Sequence, residues 1–272
     1  MERKIKVLCI GAHPDDCDIR AGGLTAKLRA AGHEVMYVSA TDGSAGHQEM
    51  PAPALRARRQ AEADAVAKLF GIEYLVLPNP DGSLEATLEN REEMIRIIRR
   101  FSPDIVLTHR TNDYHPDHRN TAVLVQDSSF TLLVPLIVPD TPAMRKAPCI
   151  LFLYDRFQHP YPFTPDVAIA TDEVIDKKME ALLCHESQLL EWLPWVRHQS
   201  DILNAPTREA ACRAAVKYRK GNDARVADEC RSLLIDEYGR ERGEKVQYAE
   251  SFEVSEYGSP LSEELRQILI SL

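Results

Sequence analysis

The chain has 272 residues, and 33 Lys and Arg against 42 Asp and Glu leave a formal charge of −9 at neutral pH. That balance argues against a protein that grips nucleic acid through its phosphates, which needs a basic surface or stripe. At 44% hydrophobic and 28% charged, the composition is that of an ordered globular protein rather than a disordered one.

Residues 7–12 form a first apolar run that reads as a strand, too short and without the cleavage pattern for a secretory leader. A helix is predicted over 22–31 with Gly32 as its stop, then a strand over 33–40 and a long amphipathic helix over 55–70 closed by Gly71. A strand over 73–77 leads into the turn Asn79-Pro80-Asp81-Gly82. Next come a helix over 88–101, a strand over 104–108 and a polar loop over 110–120. Seven prolines between 135 and 165 surround a single strand candidate at 149–154. Beyond it the pattern gives a strand over 167–170, helices over 173–184, 207–219 and 224–238, and a strand over 246–254. The most basic stretch, 208–245, interleaves its cations with Glu209, Asp223, Asp228 and Glu237 and reads as a solvated helical face.

Strands alternating with helices predict an α/β, Rossmann-like fold: a mostly parallel sheet with helices on both faces and the site at the C-terminal ends of the strands. No linker separates a second unit, so one domain is expected over 1–272, with a core at about 4–188 and a helical elaboration at about 189–272. No stretch approaches the apolar length of a membrane span. Cys9, Cys17, Cys149, Cys184, Cys212 and Cys230 form no C-x-x-C pair and read as reduced thiols. Together these features lead to an expectation of a cytoplasmic protein.

Two motifs carry the chemistry. His13-Pro14-Asp15-Asp16 follows the first strand, and His115-Pro116-Asp117-His118 lies in the loop after the strand at 104–108. Histidines and aspartates at the mouths of two strands offer N and O donors suited to zinc or another divalent ion. The proline in each motif fixes φ and makes the turn stiff. A nucleotide-binding reading fails because Gly11-Ala12-His13-Pro14-Asp15 lacks spaced glycines and its aspartates would repel a pyrophosphate.

At these residues the sequence resembles the PIG-L/LmbE-like family of zinc-dependent N-acetylglucosaminyl deacetylases. Ala12 to Asp16 and His115 to His118 match its two motifs. Weaker matches lie at Thr41-Asp42-Gly43, Arg59-x-x-Glu62, Pro80-Asp81-Gly82, Lys178 and His185-Glu186-Ser187-Gln188, so the resemblance spans about 4–188. It implies that His13, Asp16 and His118 bind the metal, that Asp15 is the general base, and that a metal-bound water attacks the acetyl group. It also implies that His115 stabilises the oxyanion or protonates the leaving amine, with Asp117 holding its ring and favouring the imidazolium.

The substrate implied is an N-acetylated, GlcNAc-type amino sugar or a glycoconjugate containing one, and the resemblance also implies a homo-oligomer. Two alternatives remain: the same chemistry on another acylamide, and a metal- and sugar-binding module without turnover. Where the family has Glu after Asp-Asp, this chain has Cys17, read as a small buried residue under the turn. Arg59 occupies the position the family uses to grip substrate, or else the exposed face of its helix. Asp42 belongs to a turn that opens toward the site. Tyr114 either donates to the oxyanion or packs on its loop. His185 either contacts substrate or stands behind the residues that do, or else is a capping or core histidine. Trp192 and Trp195 either stack on a sugar or pack on a neighbouring element.

Overall fold

The computed structural model describes residues 3–272, so the first two positions of the expected domain lie outside the described residues. The sheet is built from β1 (Lys6–Gly11), β2 (Glu34–Ser39), β3 (Glu73–Val76), β4 (Ile105–Thr108) and β5 (Cys149–Leu153), paired in parallel in the order β3-β2-β1-β4-β5. β6 (Val167–Ala170) and β7 (Ala249–Gly258) extend it, with β7 antiparallel to both β5 and β6. The described residues thus form the mostly parallel, Rossmann-like sheet that the alternating pattern predicts.

Both faces of the sheet are covered, which is why the central strands read as unbroken apolar runs. Val7 and Cys9 of β1 pack with Leu24 and Leu28 of α1 (Asp16–Ala30) and Val66 of α2 (Ala52–Phe70). Leu8 and Ile10 point the other way, toward Met94 and Ile98 of α3 (Leu88–Phe101) and Val125 of α4 (Pro116–Thr131). α5 (Ile175–Cys184) adds Ala181 to the first face. Strand order reverses between β1 and β4, and the crevice at such a reversal is where an α/β sheet places its ligand.

Several boundaries differ from the sequence reading. α1 starts at Asp16 rather than at 22, because a kink at Ala21 (φ −139°) joins a polar first segment to the apolar one. The second motif opens α4 instead of lying in a loop. Its signal was a cap rather than a period: His115 Nδ1 accepts the Asp117 N–H, and Pro116 takes the first helical position. Gly221 does not interrupt the late helix, which runs Arg208–Glu229 and breaks only at Cys230 before Arg231–Tyr238. A terminal helix, Glu263–Ser271, was not foreseen; Ser262 caps it by accepting the Leu265 N–H. Among the described residues, no helix is long and apolar enough to cross a membrane.

Candidate metal centre and active site

The turn after β1 is closed by its own carboxylate. Asp16 Oδ2 accepts the N–H groups of Ala12 (3.0 Å) and His13 (2.8 Å). Gly11 permits this: a Cβ there would lie 2.7 Å from the Asp16 Cβ. The turn delivers His13 and Asp16 to the β1/β4 crevice, and the first turn of α4 delivers His118 from the other side.

The three side chains form a near-equilateral triangle. His13 Nδ1 lies 3.2 Å from His118 Nε2 and 3.4 Å from Asp16 Oδ2, and His118 Nε2 lies 3.5 Å from Asp16 Oδ2. A tetrahedral zinc with bonds of about 2.0–2.1 Å needs donors about 3.3–3.4 Å apart, so the set fits a divalent ion. The second nitrogen of each histidine meets a carboxylate. His13 Nε2 is 3.2 Å from Asp81 Oδ1 and 3.3 Å from Asp117 Oδ2, while His118 Nδ1 is 3.0 Å from Asp113 Oδ2. Carboxylates behind ligating histidines fix the tautomer and raise ligand basicity.

The electrostatics agree. Burial works against charge on His13, but Asp117, Asp16 and Asp81 outweigh it and hold its pKa well above the ordinary value. Burial likewise opposes charge on Asp16, and His118, His109 and His13 overcome it, keeping that carboxyl well below its usual range. Further donor groupings, His13-His115-His118 and Asp16-His109-His118, overlap the same point.

Asp15 is buried (6% exposed), and its Oδ1 accepts a 3.0 Å bond from Arg59 Nη2. Arg59 is therefore not on an open helix face. It lines the cavity, yet its guanidinium is held between Asp15 and the Gly43 carbonyl.

Asp117 corrects the sequence reading. Its oxygens accept the N–H groups of Gly82 (2.7 Å) and Leu84 (3.1 Å) and lie against His13, not the His115 ring. What His115 receives is the Asp117 backbone N–H on Nδ1, at 3.2 Å, which leaves the ring proton on Nε2. Burial and the charges of His13 and His118 lower the His115 pKa, while Asp117 and Asp81 act the other way.

The remaining expected residues fall into two groups. Tyr114 stands at the cavity rim, 74% exposed, with its ring 5.8 Å from that of His115. Asp42 lies under the turns: its Oδ1 accepts the N–H groups of Ser44 and Asp81, and its Oδ2 pairs with Arg56 at 2.6 Å. It thereby sets the position of Asp81. His185 is fully buried away from the cavity lining, 2.9 Å from Asp18 Oδ2. Cys17 is also fully buried, with its thiol donating to the Cys9 carbonyl at 3.4 Å. Trp192 lines the cavity and stacks on Trp195 with centroids 5.4 Å apart.

Sequence reasoning passed over His109 and Asp113. His109 stacks on His118 at 4.0 Å and sits 3.2 Å from Asp16 Oδ2. Asp113, five residues before His118 in the loop that leads into α4, was findable as a neighbour of that motif; His109 had no pattern around it. These groups surround a cavity of about 520 Å³, a size suited to a small organic ligand.

A Rossmann-like sheet with a three-donor His/Asp centre at its switch point defines a class of metal-binding α/β proteins, and comparison with known proteins narrows it. The PIG-L family, described as GlcNAc-PI de-N-acetylase, matches residues 8–129. A diacetylchitobiose deacetylase from Thermococcus kodakarensis is 33% identical over 204 residues, covering 71% of this chain and 75% of the relative. The chain belongs to the PIG-L/LmbE-like family. A 4-oxalmesaconate hydratase from Pseudomonas putida is 25% identical over 198 residues, 70% of this chain and 76% of that protein. Among solved structures, the N,N'-diacetylchitobiose deacetylase of Pyrococcus horikoshii superposes with a TM-score of 0.71 at 24% identity, over 92% of this chain and 83% of its own, and supports the fold.

Proposed function

We propose that the protein is a zinc-dependent N-deacetylase that removes acetyl from a GlcNAc-type amino sugar or its glycoconjugate. The observation that carries this reading is the donor triangle of His13, Asp16 and His118, with each histidine backed by a carboxylate. The similarity to a diacetylchitobiose deacetylase supports the substrate class. His13, Asp16 and His118 would hold the ion, which when bound supplies an acidified water and a Lewis-acid contact for the acetyl oxygen.

The chain's own groups do the rest. Asp15, oriented by Arg59 through Oδ1, has Oδ2 left to take the proton of the attacking water. His115, with Nδ1 occupied by the Asp117 N–H, offers Nε2–H to the oxygen that becomes negative. The proton collected by Asp15 can then be handed to the departing amine, so that Asp15 serves as both base and acid. Tyr114 and Trp192 border the space for the sugar. β6 and β7 complete the same sheet as β1, supporting one catalytic unit.

The unpaired thiols support action in the reducing cytoplasm. Assembly into a homo-oligomer rests on family resemblance, with Phe130 and Leu136 as exposed apolar side chains available for contact. Removal of metal by a chelator should abolish acetate release from N-acetylglucosaminides, and zinc should restore it. Activity that survives complete metal removal would contradict the proposal. A second reading, hydration of an unsaturated acid, is favoured by the hydratase relative and the arginines of the cavity. It predicts loss of the acid's ultraviolet absorbance with no acetate formed.

A further inference from the structure

The cavity lining does not balance its two signs of charge evenly. Every carboxylate lining it already has a partner: Asp15 with Arg59, Asp16 with His118, Asp81 with His13, Asp113 with His118, Asp155 with Arg110 and Asp223 with Lys178. The arginines are not balanced in the same way. Among the described residues, Arg20, Arg156, Arg197, Arg219 and Arg225 line the cavity without a carboxylate in ion-pair range.

Arg219 is the informative member. It is 7% exposed, and neither an ion pair nor a side-chain hydrogen bond is made by it among the described residues. Its neighbours supply rings and amides in place of charge: Arg197 lies over the Tyr218 ring at 5.6 Å, Arg20 over the Tyr154 ring at 5.8 Å, and Arg225 donates to Asn222 Oδ1 at 3.2 Å. Burial, reinforced by the charges of Arg197 and Arg20, brings the Arg219 pKa down to about 10, whereas Asp15 acts the other way. A buried guanidinium without a counter-ion is costly, and its planar fork matches carboxylate and phosphate oxygens. The long helix Arg208–Glu229, which supplies Arg219, Asn222 and Arg225, lies beyond the family match at residues 8–129.

We propose that the substrate carries an anionic substituent, a carboxylate or a phosphate, that docks on Arg219 with Arg20 and Arg197 while its acetamido group faces the metal end. The C-terminal elaboration would then select acidic N-acetyl amino sugar derivatives. This assignment rests on the deacetylase reading for the sugar but not for the anion.

The test is calorimetric binding to the zinc-loaded protein of three probes: methyl N-acetylglucosaminide, its carboxymethyl counterpart and N-acetylglucosamine 1-phosphate. At least one anionic probe should bind about tenfold or more tighter than the methyl glycoside, the scale of a charge-assisted bidentate contact. Whichever anion wins identifies a carboxylate or a phosphate substituent. The anionic-to-neutral ratio should fall toward one in Arg219→Met and, should that variant fail to fold, in Arg197→Gln at the exposed mouth. Equal binding of all three probes, or a ratio untouched by both substitutions, would overturn the proposal. Acetate release is read separately. Anion-selective binding without acetate sinks the deacetylase reading alone, and acetate release with no anion selectivity sinks this one alone.

Discussion

Arg59 meets the cavity through another residue, donating to Asp15 Oδ1. It is 2% exposed, and Gly43, at φ +64°, is the only kind of residue its guanidinium tolerates nearby, since a Cβ there would lie 2.5 Å from Arg59 Nη1. Arg59→Ala should lower kcat by about ten- to a hundredfold, the scale of a lost hydrogen bond to a charged group, while zinc per chain stays constant. Gly43→Ala should move kcat the same way, and Arg59→Lys should recover only part because it lacks the planar fork. Loss of bound zinc in Arg59→Ala would assign it to metal binding instead. At this scale the convergence of His13, Asp16 and His118 was legible because each motif couples His and Asp to a proline that stiffens the turn. The partner of Arg59 was not, since helical spacing gives a face but not what meets it. For Asp117, the motif gave proximity to His115 in sequence, whereas the fold brought the Gly82 and Leu84 amides to its oxygens.

Among elements, the join between α1, α5, β7 and the long late helix rests on a buried triad. The kink at Ala21 leaves the N–H groups of Gly23 and Leu24 to the Glu250 carboxylate of β7, at 2.8 and 2.7 Å. Lys178 of α5, 1% exposed, pairs with Glu250 at 2.8 Å and with Asp223 of the late helix at 2.7 Å. Lys178→Met removes the cation between two buried acids and should cost about 3–5 kcal/mol in denaturant unfolding. Adding Glu250→Gln should recover part of that loss, because residues sharing a network do not act additively. A Lys178→Met cost within experimental error would show that the triad is not holding these elements. Sequence periodicity identified α2 and α3, with Gly71 as the end of the first, but overlooked α4. That helix carries buried Asp117, Thr121 and Ser128 on a face that an apolar template does not score.

For the molecule as a whole, stability should depend on pH through Glu237. Its carboxylate accepts the Ala168 N–H at 3.1 Å and pairs with Arg266 at 3.2 Å, yet burial pushes its pKa from 4.5 up to about 7. A carboxyl raised on folding contributes stability that is full below pH 4.5 and is lost as pH rises through 7. Unfolding free energy should therefore decline across that window, and Glu237→Gln should flatten the decline; an unchanged profile in the variant would remove Glu237 as its source. The acidic net charge, which first spoke against nucleic acid, coexists with a cavity whose unpaired charges are arginines, a segregation that composition averages away. The alternation of strands and helices made the sheet readable, and with it the strand ends that carry the site, whereas the strand order and its reversal between β1 and β4 came only from the fold. The role of the C-terminal third was hidden because its arginines lie scattered among acids in sequence and converge only in three dimensions.

The central claim, that Asp15 serves as base and acid beside a metal held by His13, Asp16 and His118, is tested most directly by Asp15→Asn, with zinc content and acetate release measured on one preparation. The account predicts unchanged zinc per chain and acetate release reduced by about 10²- to 10⁴-fold. Asp15→Asn that retains zinc and releases acetate at the rate of the unaltered protein would contradict it.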